Sequence, residues 1–285
     1  MFKKYLTFGL TFGLISLTNA VKALEVEITP TNPQLGDTIS VMIELNDPNS
    51  TPTINSRGTQ YQAFPVETHT NPRQYRALLP TSPLNSPGSI PIQVSGDGET
   101  QNLSVSLRNR SFTTQRITVR GGGNDATQTE LDQVATFKAL VTPEKFWNGA
   151  FLRPNGGRVS TEYGIRRYYN GVFAEDYYHR GVDYAGASGS AVIAPAGGVV
   201  RLIGRESQGF RVHGNTIGID HGQGVVSIFL HLSRIDVQEG DQVRAGQQIG
   251  AVGSTGASTG PHLHWGLYVY GVAVDPVPWR MVGLE

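Results

Sequence analysis

Ser254-Thr255-Gly256-Ala257-Ser258-Thr259-Gly260-Pro261-His262-Leu263-His264 ends in two histidines separated by a single leucine. In a strand, side chains two apart share a face, so His262 and His264 can point together into one site. A second element stands well upstream, His179-Arg180-Gly181-Val182-Asp183, and a third, Leu230-His231-Leu232-Ser233, lies between them. His179 and Asp183 fall on one face of an extended segment, and Gly181 between them speaks against a helical pair. Two imidazoles and one carboxylate make the ligand set of a catalytic zinc that keeps its fourth position for water. Two further histidines then remain for proton transfer. The inventory is that of a zinc hydrolase.

The same residues resemble the lysostaphin/LytM-type zinc endopeptidases of bacterial peptidoglycan. The likeness runs from Phe146 to Leu284. It includes Gly157-Arg158-Val159-Ser160-Thr161-Glu162-Tyr163-Gly164-Ile165-Arg166, the segment His179 to Ala185, and Ala194-Pro195-Ala196-Gly197-Gly198-Val199-Val200. It continues through Gly214-Asn215-Thr216-Ile217-Gly218-Ile219-Asp220-His221-Gly222, the His231 segment and the run ending at His264. The resemblance implies that His179, Asp183 and His264 are the metal ligands of one zinc ion. It implies that His231 and His262 are the two catalytic histidines outside the ligand set, with the choice of base between them left open. All five positions are filled. The implied fold is an open antiparallel sheet with the metal in a loop-lined groove.

The rest of the composition bounds the setting. The chain has 285 residues, enough for two modest domains. Its 23 basic and 23 acidic side chains balance, which leaves no electrostatic footprint for nucleic acid. Lys3 and Lys4 precede an apolar stretch from Tyr5 to Leu17, and Ala20 and Ala23 follow. This reads as a secretory signal over 1–23, with an uncleaved anchor as the alternative. Export places the protein in the periplasm or outside the cell, soluble and without stable membrane insertion once the signal is removed. The absence of cysteine rules out a lipid-attachment cysteine, a cysteine nucleophile and cysteine-rich structural zinc sites.

The expected fold is mainly β. Short alternating runs broken by turn residues mark 24–110 as an immunoglobulin-like β-sandwich. They are Glu25 to Ile28, Thr38 to Leu45, Ser89 to Val94 and Leu103 to Leu107. Its one histidine, His69, reads as a solvated strand or loop residue. Residues 111–150 form a linker with one or two helices. Gly121-Gly122-Gly123 gives flexibility, and Thr127-x-x-Glu130 is a capping box. Leu131, Val134, Phe137 and Val141 then recur at helical spacing until Pro143. That stripe packs against a neighbouring domain or helps set the first domain over the metal cleft. Residues 151–285 form the antiparallel β metallopeptidase domain. Strands are expected over Gly189 to Leu202, Thr216 to Asp220 and Val225 to His231, with Asp220 to Gly224 as a hairpin loop.

His221 is placed by this reading in that hairpin turn, and His213 in a loop that could line the groove. Tyr163, Tyr177 and Tyr178 read as scaffold or groove wall. Glu239 to Gln247 has the look of a lipoyl- or biotin-carrier turn, but no lysine follows Lys145 to serve as an attachment point. No His-Glu-x-x-His or Gly-x-Ser-x-Gly motif is present. The functional expectation is an exported zinc metalloendopeptidase that hydrolyses stem peptides or cross-links of peptidoglycan, with the D-alanine–diaminopimelate link as the expected bond. Peptidoglycan is its partner. Two rivals are a non-enzymatic activator of cell-wall amidases and a wall-binding protein whose sandwich does the main work.

Overall fold

In a computed structural model the described residues are 24–66, 73–118 and 125–283. The signal segment, His69 and the triglycine lie outside them. The first half forms two four-stranded antiparallel sheets. The four alternating runs are strands Glu25–Thr29, Thr38–Glu44, Gly88–Gly96 and Glu99–Leu107. Four more, led by Gln74–Pro80, complete the sandwich. Alternation decides the core: Ile90, Ile92 and Val94 point inward while their neighbours face out. They meet Ile39, Val41 and Ile43 of the other sheet in one apolar cluster.

The C-terminal half is built on an eight-stranded antiparallel sheet. Its spatial order is Arg158–Thr161, Val182–Ala185, His262–Val269, Val225–Leu230, Thr216–Gly222, Gly198–Gly204 and Gln242–Val243, with Val272–Val274 pairing beside His262–Val269. Along His262–Val269, residues His262, His264, Gly266 and Tyr268 share one face, and Leu263, Trp265, Leu267 and Val269 the other. The second face is the core. There Trp265 Nε1 donates to Ser227 Oγ (3.1 Å), which bonds His221 Nε2 (2.9 Å), and His221 packs on Phe151 and Phe151 on Trp279.

Three expectations are corrected here. Gly189 to Leu202 is two strands, Ala191–Ile193 and Gly198–Gly204, in different sheets. Pro195 has no N–H for a ladder, and at Gly197 a Cβ would sit 2.3 Å from the Phe146 carbonyl oxygen, so the chain bends between the two sheets. The hairpin loop is only Gln223-Gly224, both at positive φ. His221 therefore lies in the strand and is fully buried, with Nδ1 donating to the Gly197 carbonyl (2.7 Å).

The helix α1, Gln128–Lys138, starts at a complete Thr127/Glu130 capping box. Val134 and Phe137 are buried, whereas Leu131 and Val141 stay exposed, so the apolar stripe is narrower than its spacing suggests. Phe137 lies over Gly218, where a Cβ would come within 2.6 Å of the ring. Lys138 Nζ sits 4.6 Å from the Tyr268 ring centroid. The helix thus covers part of the sheet face that carries His264. The two halves are tied by a buried Arg76, whose guanidinium donates to Gln223 Oε1 (2.9 Å) and lies over Trp147. The second helix, Pro276–Met281, adds Trp279 Nε1 donating to Thr38 Oγ1 (3.1 Å), and Arg110 pairs with Asp275 beside it (2.7 Å).

Burial pushes His221 down to about 4, against a raising pull from the Gly197 carbonyl. The unfolded chain therefore binds a proton that the folded chain refuses, so this contribution is fully present above pH 6.5 and is lost as pH falls toward 4. The linkage amounts to roughly 3 kcal/mol. Urea midpoints at pH 7 and pH 4.5 should differ less in His221→Gln than in the parent; an equal drop in both would mean other groups carry the acid sensitivity.

Candidate metal centre

The register of the central strands assembles the site. Asp183 pairs across from His264, and His264 across from Leu230, so three adjacent strands bring Asp183, His264 and Leu230 to one rung, with His231 following directly. His179 enters just before its strand, its N–H donating to the Ile165 carbonyl (2.8 Å). His179 Nε2 lies 3.1 Å from Asp183 Oδ1 and 3.1 Å from His264 Nδ1, and His264 Nδ1 lies 2.8 Å from Asp183 Oδ1. All three residues are buried. Among the described residues this is the one such group of histidine and carboxylate donors.

The donor set fits a metal ion. His179 Nδ1 donates to the Glu162 carbonyl (2.8 Å), which leaves Nε2 as a lone pair aimed at the cluster. Lone-pair atoms packed this closely repel unless a cation or a shared proton sits among them. A tetrahedral ion with arms of about 2.0–2.1 Å has edges of about 3.3 Å, so the observed triangle needs only a small expansion to seat one. Burial would raise the Asp183 pKa, but the adjoining imidazoles of His179 and His264 outweigh it and hold the carboxyl far below the carboxylate range. Burial brings His264 down to about 4 against the pull of Asp183. Both groups are thus in the deprotonated state that a metal requires.

His231 and His262 stand beside this triangle with ring centroids 4.8 Å apart. His231 Nδ1 donates to the Thr255 carbonyl (2.9 Å), and His262 Nδ1 to the Gly260 carbonyl (2.8 Å). Each ring therefore presents Nε2 as its open atom, and His262 Nε2 reaches within 4.0 Å of Asp183 Oδ1. Burial, reinforced by His264 and His262, pushes His231 down to about 3. His231 also has φ of +63°, a left-handed backbone that a non-glycine residue adopts only when its surroundings hold it.

All five residues singled out in the sequence meet here. The others do not. His221 is on the opposite face, and the His213 ring is turned to Glu130 (2.6 Å). Tyr163 and Tyr178 both donate to the Ala273 carbonyl (2.8 and 3.1 Å), and Tyr177 accepts from Arg167 (2.6 Å), which makes them scaffold. Sequence reasoning did not find the carbonyls of Glu162, Thr255 and Gly260 that set the imidazole tautomers. Main-chain acceptors leave no residue-type signal; only the fixed Ser-Thr-Gly run before His262 hints at them.

An antiparallel sheet with a buried His/His/Asp triangle and two further imidazoles defines a metallohydrolase-type centre. Residues 177–276 match the model of peptidase family M23, and the chain carries a domain of that family. It is 38% identical over 139 residues to the DD-carboxypeptidase/endopeptidase Mpg of Neisseria meningitidis serogroup B, a match covering 46% of this chain and 31% of that protein. It is 34% identical over 169 residues to the peptidoglycan DD-endopeptidase ShyC of Vibrio cholerae, covering 55% and 38% respectively. The chain spans about a third of the length of these curated relatives. A crystal structure of a candidate M23 peptidase from Pseudomonas aeruginosa aligns with a TM-score of 0.64 at 26% identity, over 87% of this chain and 94% of that one. The mostly β architecture is therefore shared over the greater part of both chains.

Gly181 is fixed by close approach: a Cβ there would lie 2.3 Å from the Trp265 carbonyl oxygen and 2.8 Å from His264 Nε2. Gly181→Ala should weaken metal affinity on the order of 10- to 100-fold by displacing His264. Competition with a fluorescent chelator measures this, and parental affinity would show that the strand yields instead of the ligand.

Proposed function

We propose that this chain is an exported zinc-dependent endopeptidase that hydrolyses peptide bonds in the stem peptides or cross-links of peptidoglycan. The observation that carries this reading is the convergence of His179 Nε2, Asp183 Oδ1 and His264 Nδ1 beside two imidazoles with open Nε2 atoms. These three atoms would hold the ion. A zinc bound there would polarise the scissile carbonyl and lower the pKa of its water to about 7. His231 and His262 serve proton transfer: one neutral Nε2 takes a proton, and the other, in its protonated form, gives one to the leaving amine or hydrogen-bonds the developing oxyanion. Their Nδ1 bonds to fixed carbonyls keep both rings oriented for this.

The names of the relatives, a DD-carboxypeptidase/endopeptidase and a DD-endopeptidase, support the D-alanine–diaminopimelate cross-link as the bond. Export to the periplasm or cell exterior rests on Lys3, Lys4 and the apolar run after them. An amidase activator would need none of the five convergent side chains, and their presence favours the enzyme.

The test is digestion of purified sacculi with residues 24–285, with and without chelator, followed by mass analysis. Chelator-sensitive loss of cross-linked dimers is expected, and an unchanged profile from zinc-loaded protein would sink the assignment. His264→Ala should lose zinc. His231→Ala should keep stoichiometric zinc and lose about 100- to 10,000-fold in rate; full activity in either variant would refute the role given to that residue.

A further inference from the structure

We propose that Glu130, on helix α1 and outside the family match, is a positioning residue for His231, so that the helix is part of the working site. The inference rests on the reading of His231 as a proton-transfer group. Glu130 closes the capping box of α1, but most of its bonds go elsewhere. Its fully buried carboxylate accepts the N–H groups of Arg211 (3.0 Å), Val212 (3.1 Å) and His213 (2.7 Å), and the His213 ring Nδ1 (2.6 Å). Thr127 Oγ1 adds a bond to the Gly209 carbonyl (3.0 Å). A capping box alone needs one donor; this carboxylate organises three successive amides of a distant loop.

The other side of that loop holds His231. The His213 carbonyl accepts the His231 N–H (3.0 Å), at the residue whose φ is +63°. Asn215 bridges to Leu232 through its Nδ2 (3.0 Å), and its N–H donates to Thr255 Oγ1 (3.0 Å). Thr255 in turn supplies the carbonyl that fixes the His231 ring. Both the backbone and the ring of His231 are therefore referenced to the 209–215 loop, and the loop is referenced to Glu130. Burial raises the Glu130 pKa, but the amides and imidazole of the loop outweigh it, so the carboxylate stays charged and holds its donors. A left-handed backbone at a non-glycine residue is held by its surroundings and relaxes once they give way.

The experiment uses the full chain. Glu130→Gln keeps the side-chain shape but turns one oxygen into a donor facing donors. Zinc content and KM should stay within about twofold of the parent, kcat should fall about tenfold or more, and the His231 Nδ1–H resonance in proton–nitrogen spectra should shift or broaden. Asp132→Asn, which removes an exposed charge from the same helix, should leave all of these unchanged. If Glu130→Gln does not fold, His213→Ala removes the ring contact alone and should give a smaller kcat loss with the same spectral shift. An unchanged kcat and an unchanged His231 resonance, or a rise in KM alone, would overturn the proposal. If the parent fails to cut sacculi, the proposed function falls, and the His231 resonance still decides the positioning role.

Discussion

The pairing of Asp183 with His264 across two antiparallel strands is the constraint on which the centre depends. Strand side chains alternate with a period of two, so a slip of one residue would send Asp183 or His264 to the opposite face. The register is pinned from both sides. The neighbouring strand sets Leu230 against His264, and Gly181 leaves no volume between the Val182–Ala185 strand and the Trp265 carbonyl. The three side chains that could hold a metal ion are thereby fixed by backbone hydrogen bonding.

The two faces of that sheet do opposite things with histidine. On the core face, His221, Ser227 and Trp265 form a closed donor–acceptor chain in which every polar hydrogen has an assigned acceptor. On the ligand face, four imidazoles keep one nitrogen each turned toward the same space, and their remaining nitrogens or neighbours hold them there. Burial lowers His221, His231 and His264 alike, but only the last two have atoms open to a ligand or substrate. A depressed imidazole is therefore uninformative until its partners are counted.

Much of this was legible from side-chain types. The His-x-His spacing, the His179/Asp183 pair and the alternation of Ser89 to Val94 each translate directly into a face of a strand, and the capping box into the start of α1. What was not legible depends on tertiary partners. His221 looks like a turn residue beside Gly222, but a register shift between Asp220 and Gly222 keeps the strand going through it. Pro195 and the Phe146 carbonyl split a run of apolar residues that reads as one strand. Glu130 reads as a helix cap, and its three amide partners lie some eighty positions away, a distance no local pattern can encode.

Arg76 carries a consequence for how such proteins diverge. Its guanidinium is enclosed in the seam, resting on Trp147 and Gln223 from the other half of the chain. An enclosed charge is tolerated only with its partners in place. A genetic exchange that paired this sandwich with a different peptidase half would take the Gln223 acceptor and the Trp147 face from the cation, and one that imported a different sandwich would leave Gln223 without it. The two halves are therefore expected to travel through lineages together, with substitutions at 76, 147 and 223 changing in concert.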